Sequence, residues 1–505
     1  MAKKLRDLPF YGITAQKEME EMEDKYREVF LELSNFELNS FITGKKFLIY
    51  GDKGTGKSAI IHYLHNRIGK ASVLIDFTIL QKVNDIGNIG RDNESEIKEK
   101  NNHNLITINN LEGEELFVTR SWRLFIIKTI IFKIKSDGIA EYIEFNSTKQ
   151  FNKLYFLLNA CYLNDYTKII PRSKKGSYIV ADKNMAFRSE FGDVEYVDSE
   201  RYFSKIVQIF NNIQFKHNSK MYIIFDELNI SWTTKKVFEQ QIKQIQSLID
   251  TVTYMNQDFK DKKLQFHIIS SFRNEIMERL SGAERNKTIS DYGIGLDWTI
   301  FNEKNNNKLI ELVNKRLCLF DEEEKDVNNI WIKIFGTKSL GTLRNTILQY
   351  TWNKPRNIVS FFCEIKELYP DDEYLTKRTF NQVLSCYSRK AMQELMESLT
   401  FGLYPGDIHF LNRLILALDD EFDVQNFRIK RMEIAENYGD EDAKSIRVFT
   451  DSKLLEFMYQ NGILGIVDNS RVLYDYLGKG ANINQKSKFV LHKAVSLGRK
   501  SYVRC

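Results

Sequence analysis

Phe47-Leu48-Ile49-Tyr50-Gly51-Asp52-Lys53-Gly54-Thr55-Gly56-Lys57-Ser58 is the stretch whose reading decides the fold of this chain. A short apolar strand runs into a glycine-rich turn that fits G-x-x-x-x-G-K-[ST] without a gap. Glycines let the backbone curl so that successive N–H groups converge on phosphate oxygens. Ala59 to Leu64 follow as a helix start, whose dipole favours an anion. The pattern assigns Gly51, Asp52, Lys53, Gly54, Thr55, Gly56, Lys57, Ser58 and Ala59 to a phosphate cradle. Lys57 would reach the β- and γ-phosphates, and Ser58 would hold Mg²⁺ through its hydroxyl. A plain glycine-rich turn is the competing reading; the strand–loop–helix setting speaks against it.

Outward from the turn, three stretches complete the picture. Met221-Tyr222-Ile223-Ile224-Phe225-Asp226-Glu227 reads as a buried strand with carboxylates at its tip, where ligands bind in an open parallel sheet. Asp226 is expected in the Mg²⁺ shell, and Glu227 to polarise the water that attacks the γ-phosphate. Leu264 to Arg273 reads as a further buried strand turning polar at its end. Ser270 or Ser271 there could contact the γ-phosphate, and Arg273 a phosphate in cis or across a subunit boundary; a Ser that merely caps the strand is the equal alternative. In Asn353-Lys354-Pro355-Arg356, the proline fits a helix's first turn, and Arg356 works against the helix dipole there. It is expected to point back at the phosphates from a lid, with a structural ion pair as the alternative.

Composition sets the bounds. With 505 residues, 43% apolar and 28% charged, the chain can hold two to four domains of ordinary globular character. A net charge of +5 is small for this length, so any nucleic-acid surface must be local. The five cysteines are scattered without a CxxC, which argues against a zinc site or a disulfide framework and for a reducing compartment. No stretch approaches the ~20 apolar residues of a membrane-spanning helix, and the N-terminus lacks a signal-peptide core. Cytoplasmic location and no membrane partner are expected.

The remaining chain divides as follows. Residues 1–45 form an N-terminal helical segment in which Phe10 or Tyr11 could stack on a base or simply pack. Residues 46–300 form the P-loop core, with a second parallel strand near Ser72–Asp76. Residues 80–200 read as a helical insertion decorating that core, and 283–298 as a loop leading to a short strand, with Arg285 and Lys287 as cationic candidates. His267 reads as a core residue. Residues 301–378 read as a helical lid and 379–505 as a winged-helix-like domain, with a hairpin about Asp468-Asn469-Ser470. From Tyr476 onward there is no acidic residue, while Lys479, Lys486, Lys488, Lys493, Arg499, Lys500 and Arg504 are basic. That excess could track a DNA backbone or belong to a protein-docking wing.

Taken together, GDKGTGKS, IIFDEL, IISSFR, ERNK with LDW, NKPRNIV and LLEFMYQNGILG with FVLHKA resemble a family of bacterial P-loop ATPases. Its members have an AAA+-like core, akin to origin-recognition and STAND ATPases, and a C-terminal winged helix. The resemblance implies an α/β fold with a parallel ASCE-type sheet, a helical lid and that winged domain. It gives Lys57 and Ser58 the P-loop roles, Asp226 and Glu227 the acidic-strand roles, and Arg356 the second-sensor role. The family's lid signature is G-x-P-R; Asn353 replaces the glycine here. Relatives act as switches in DNA transactions or in bacterial defence against phage.

The expected activity is Mg²⁺-dependent ATP hydrolysis coupled to DNA or a protein partner, with a homo-oligomer possible. The alternative is a nucleotide-locked oligomeric scaffold for a partner effector, with hydrolysis incidental. A kinase is disfavoured, because Glu227 beside Asp226 favours water over a substrate hydroxyl. No guanine-reading N-K-x-D-like element stands in the expected place, which tilts the nucleotide towards ATP.

Overall fold

The computed structural model describes the chain apart from residues 1–2, 24, 34–35, 77–110, 163–178, 183–184, 189–198, 227–234, 278–282, 299–306, 400–402, 404, 437–448, 470, 478–482 and 503–505. Three short helices, α1 (Ala15–Met22), α2 (Lys25–Val29) and α3 (Leu38–Ile42), precede the central sheet. Its strands are β1 (Leu48–Gly51), β2 (Ser72–Asp76), β5 (Lys220–Asp226), β6 (Gln265–Arg273) and β7 (Gly293–Gly295). Every pairing is parallel and the order is β2-β5-β6-β1-β7. Strand β6 therefore lies between the P-loop strand and the acidic strand, the arrangement of an AAA+-type α/β P-loop fold.

A parallel sheet must be covered on both faces. Alternation along the strands sends Ile49, Ile224 and Ile269 to one side, with α4 (Lys57–Ile68). Leu48, Ile223, Phe225 and Ile268 go to the other, with α5 (Leu111–Asp137) and α9 (Lys235–Asp261). Helix α5 falls within the stretch read as decoration, and the structure corrects that reading. Trp122, Phe125, Ile127, Ile130 and Ile134 are buried with the sheet, and the Trp122 indole donates to the Gln244 carbonyl at 3.0 Å. At roughly 1.5–3 kcal/mol per buried side chain of this size, α5 is a structural wall of the core. The other elements of this crossover are α6 (Ile139–Tyr142), α7 (Thr148–Tyr162), the hairpin β3 (Ile179–Asp182) with β4 (Met185–Arg188), and α8 (Ser199–Asn211).

After β6 come α10 (Asn274–Met277) and α11 (Ala283–Tyr292). The latter replaces the loop expected over 283–298; Lys287 is exposed on it. Helices α12 (Lys308–Phe320), α13 (Val327–Phe335), α14 (Leu340–Tyr350) and α15 (Pro355–Leu368) follow, then the long α16 (Lys377–Ser398).

The C-terminal part runs α17 (Pro405–Ala417), β8 (Glu421–Asp423), α18 (Val424–Glu436), α19 (Asp451–Gln460), β9 (Leu464–Asp468), β10 (Arg471–Leu473), β11 (Lys488–Leu491) and α20 (Lys493–Tyr502). Its sheet order is β10-β9-β11-β8, antiparallel, which is winged-helix topology with one added edge strand. Helix α20 packs back on α16 so closely that a Cβ on Gly498 would lie 2.6 Å from the Ser388 carbonyl oxygen. Among the described residues, no helix is long and apolar enough to cross a membrane.

Candidate phosphate-binding site

The turn after β1 has the backbone its glycines were expected to supply. Gly54 and Gly56 take φ of +87° and +94°, which L side chains rarely adopt. Gly56 is the N-cap of α4 and offers no side chain to cap it, so the helix N-terminus keeps its donors for an external anion. The Thr55 hydroxyl donates to the Asp52 carbonyl at 2.8 Å, and the Trp298 indole donates to the Thr55 carbonyl at 2.8 Å. Sequence reasoning noted the stretch holding Trp298 but missed its role as a clamp on the turn. An aromatic just past a short strand was the only signal.

Lys57 is 3% exposed, and its ammonium donates to the carbonyls of Gly51 at 3.0 Å and Asp52 at 2.9 Å. The charge is thus curled inside the turn, against acceptors that a phosphate oxygen can replace. Ser58 and Asp226, 168 residues apart, meet: the Ser58 hydroxyl donates to Asp226 Oδ1 at 3.2 Å. The Ser271 hydroxyl donates to the same oxygen at 3.1 Å. Of the two serine candidates at the end of β6, Ser271 is therefore the one aimed at the acidic strand. Ser270 is buried in β6, its N–H on the Phe47 carbonyl. Ser58 and Asp226 supply hard oxygen donors of the kind Mg²⁺ takes. Among the described residues there is no cluster of three or more His, Cys, Asp or Glu ligands. Glu227 lies outside the described residues.

The lid meets the turn directly. The Arg356 N–H donates to the Gly54 carbonyl at 3.2 Å, and Lys354 ion-pairs with Asp52 at 3.5 Å. Asp52 also accepts from the Asn274 amide at 2.7 Å, which ties the turn to the end of β6. The Arg356 guanidinium pairs with Glu394 of α16 at 3.3 Å. Lys53 belongs to the same cluster. Burial lowers its pKa, Glu394 opposes that, and Arg273 and Arg356 push it further down. The lid approaches through Trp352 and Asn353, with φ of +48° and +49°. Asn353 stands where the resembled signature has glycine, and its left-handed backbone is one that asparagine enters more readily than most residues. The Trp352 ring stacks on His492 at 3.9 Å, and its indole donates to the Gly462 carbonyl at 2.8 Å, so residues flanking β9 and α20 hold the turn between α14 and α15.

Two readings that the sequence left open are narrowed by the structure. Phe10 is 1% exposed and stacks on Phe362 at 4.4 Å, so it is a packing aromatic rather than a base platform. Tyr11 lies under the Lys366 ammonium at 4.5 Å. The basic C-terminal run is partly consumed by the fold. Arg499 is buried, donates to the carbonyls of Ile415 and Leu418 and pairs with Asp420 at 2.7 Å. Lys500 also pairs with Asp420, and Lys493 donates to Gln349. Lys486 and Lys488 are exposed, while Lys479 and Arg504 lie outside the described residues. His267 is half-buried, and burial lowers its pKa to about 4, as suits a core-edge histidine. The side chain of Arg285 lies outside the described residues.

No family model and no curated protein matches the sequence. Among solved structures, the chain is similar to the Orc1 protein of Aeropyrum pernix in complex with DNA, at 12% identity and a TM-score of 0.38, over 96% of this chain and 93% of that one. It is also similar to Cdc6p from Pyrobaculum aerophilum, at 10% identity and a TM-score of 0.25, over 96% and 95% of the two chains.

Proposed function

We propose that this chain binds ATP with Mg²⁺ at the turn 51–59 and hydrolyses it, and that the nucleotide state is passed through the lid to the winged-helix domain. One observation carries the reading: Ser58 of the P-loop and Ser271 of β6 converge on a single oxygen of Asp226. Three stretches far apart in sequence thereby meet at the C-terminal edge of the sheet.

In this reading the Lys57 ammonium leaves the carbonyls of Gly51 and Asp52 for the β- and γ-phosphate oxygens. Ser58 and Asp226 would hold Mg²⁺, which would supply neutralisation of phosphate charge. Ser271 fixes the Asp226 carboxylate and stands next to the γ-phosphate. Glu227, the residue after Asp226, orients the attacking water in line. Arg273 and Arg356 stabilise the charge that develops on the transferred group. The surface offered to DNA is the exposed part of the basic C-terminal region, Lys486 and Lys488 included. A partner effector or a second copy of this chain would receive the signal by the same route. The sequence resemblance adds a setting, bacterial defence against phage.

The test is phosphate release with ATP and Mg²⁺. Glu227→Gln should keep ATP binding and lower turnover by about 100-fold or more. Wild-type turnover in Glu227→Gln would remove the water-orienting role of Glu227, and no phosphate release by the folded wild type would remove the hydrolytic assignment. If cellular activity survives Glu227→Gln but is lost in Lys57→Ala, the nucleotide-locked scaffold replaces the hydrolytic switch.

A further inference from the structure

We propose that Glu394 is a built-in rival of the γ-phosphate: it holds the Arg356 guanidinium while the P-loop lacks a triphosphate and surrenders it when ATP binds. The proposal rests on the reading of the turn 51–59 as an ATP site and adds how that site is regulated.

The stem of Arg356 lies on the phosphate turn. A Cβ on Gly54 would be 3.3 Å from Arg356 Cβ and 3.7 Å from its Cδ. The guanidinium end is held by Glu394 at 3.3 Å, with the two side chains 29% and 32% exposed. Water reaches such a pair, which makes it weak and exchangeable. Arginine with a phosphate, in contrast, forms a charge-assisted fork with two parallel bonds. Lys53 feels Glu394, Arg273, Arg356 and Glu397, so three cations and two carboxylates share one volume beside the turn. An incoming triphosphate repels the carboxylates and attracts all three cations. The arginine's place in a helix's first turn is unfavourable against the dipole, and a carboxylate partner offsets that until the phosphate takes over.

The exchange has somewhere to go. Glu394 sits on α16, and the turns just before it carry the contact with α20, where Gly498 lies against Ser388 and Met392. A carboxylate freed from Arg356 loosens α16 from the P-loop side while its winged-helix side stays packed. Nucleotide state then becomes a change in how the winged domain is tethered.

The experiment is calorimetric titration of ATP and of ADP into this chain and five variants, Glu394→Gln, Arg356→Ala, their double, Glu394→Asp and Lys57→Ala, each first checked for an unchanged melting profile. Glu394→Gln should tighten ATP about threefold, in line with an exposed ion pair, and ADP less. In the Arg356→Ala background the same change should do nothing. Glu394→Asp should bring the ATP affinity back towards wild type. Unchanged or weaker ATP binding in Glu394→Gln, or a gain that persists without Arg356, overturns the proposal. Lys57→Ala separates the two levels. If it binds ATP as wild type does, the P-loop reading itself fails and this inference with it. If it loses ATP while Glu394→Gln shows no gain, only the rivalry is wrong.

Discussion

The P-loop and the C-terminal helix both gather basic side chains against backbone carbonyls, yet they use them in opposite ways. Lys57 bonds the Gly51 and Asp52 carbonyls inside a turn whose glycines and uncapped helix end also face the same point. Its partners are replaceable, and the donors around it converge. Arg499 bonds the end of α17 and shares Asp420 with Lys500 and Ser496. Burial favours the neutral acid at Asp420, but hydrogen bonds from Lys500, Ser496 and Arg499 outweigh it and hold its pKa at about 2. There the charges close a helix terminus and join the last helix to the start of β8. A count of lysines and arginines cannot tell an anion site from a structural clasp; convergence of donors and exchangeability of partners can.

The largest effect that would break this contrast belongs to the acidic strand. Asp226→Asn should cut Mg²⁺-dependent phosphate release by about 100-fold, because it removes the charge that two hydroxyls now share. Wild-type turnover in that variant would mean that the convergence on Asp226 is mere strand capping. On the other side, Arg499→Met should cost about 2–3 kcal/mol of stability by leaving carbonyls without their donor. It should leave ATP affinity alone; denaturant melts and titrations read the two separately. If Arg499→Met melts like wild type and instead loses DNA binding, the run is an anion site after all.

Two smaller effects sharpen the link between the regions. Asn353→Ala should cost about 1 kcal/mol, since alanine lacks asparagine's tolerance for the left-handed backbone; an unchanged melting temperature would show that the hinge is not strained. His492 is held neutral by burial first, then by Lys493 and Lys354, with its pKa lowered to about 3. The sign follows from linkage. The unfolded chain takes up this proton as pH falls below its ordinary value near 6.5, whereas the folded protein does so only near 3. Stability is therefore complete above that ordinary value and is lost progressively down to the folded one. Between pH 7 and 6 the loss should be about 0.7 kcal/mol. His492→Phe keeps a ring against Trp352 and should flatten that part of the pH profile; an identical slope in the variant would contradict the assignment.

How much could be read in advance depended on distance along the chain. The turn after β1 was legible because its conformation is local: Gly54 and Gly56 take positive φ, and α4 starts at once with Lys57. The strand 220–226 was legible as four apolar residues ending in Asp226, and the serine pair as the polar end of β6. What failed depended on partners far away. Arg499 looked available because Asp420, which claims it, lies 79 residues earlier. Phe10 could not be assigned between stacking on a base and packing, because Phe362 was not visible beside it. Helix α5 was recognisable as helical from Leu124 to Ile134, but nothing in its own periodicity said that its greasy surface was the underside of the sheet. Asn353 departs from the resembled signature, and what the sequence could not show is that its backbone is left-handed, a region asparagine enters more readily than most residues.

The most direct measurement is titration of ATP into wild type and Lys57→Ala, with and without Mg²⁺. The account predicts a saturable, Mg²⁺-enhanced ATP-binding isotherm in the wild type and its loss, by about 100-fold or more, when the ammonium is removed. Equal ATP binding by the two proteins, or none by the folded wild type, would contradict it.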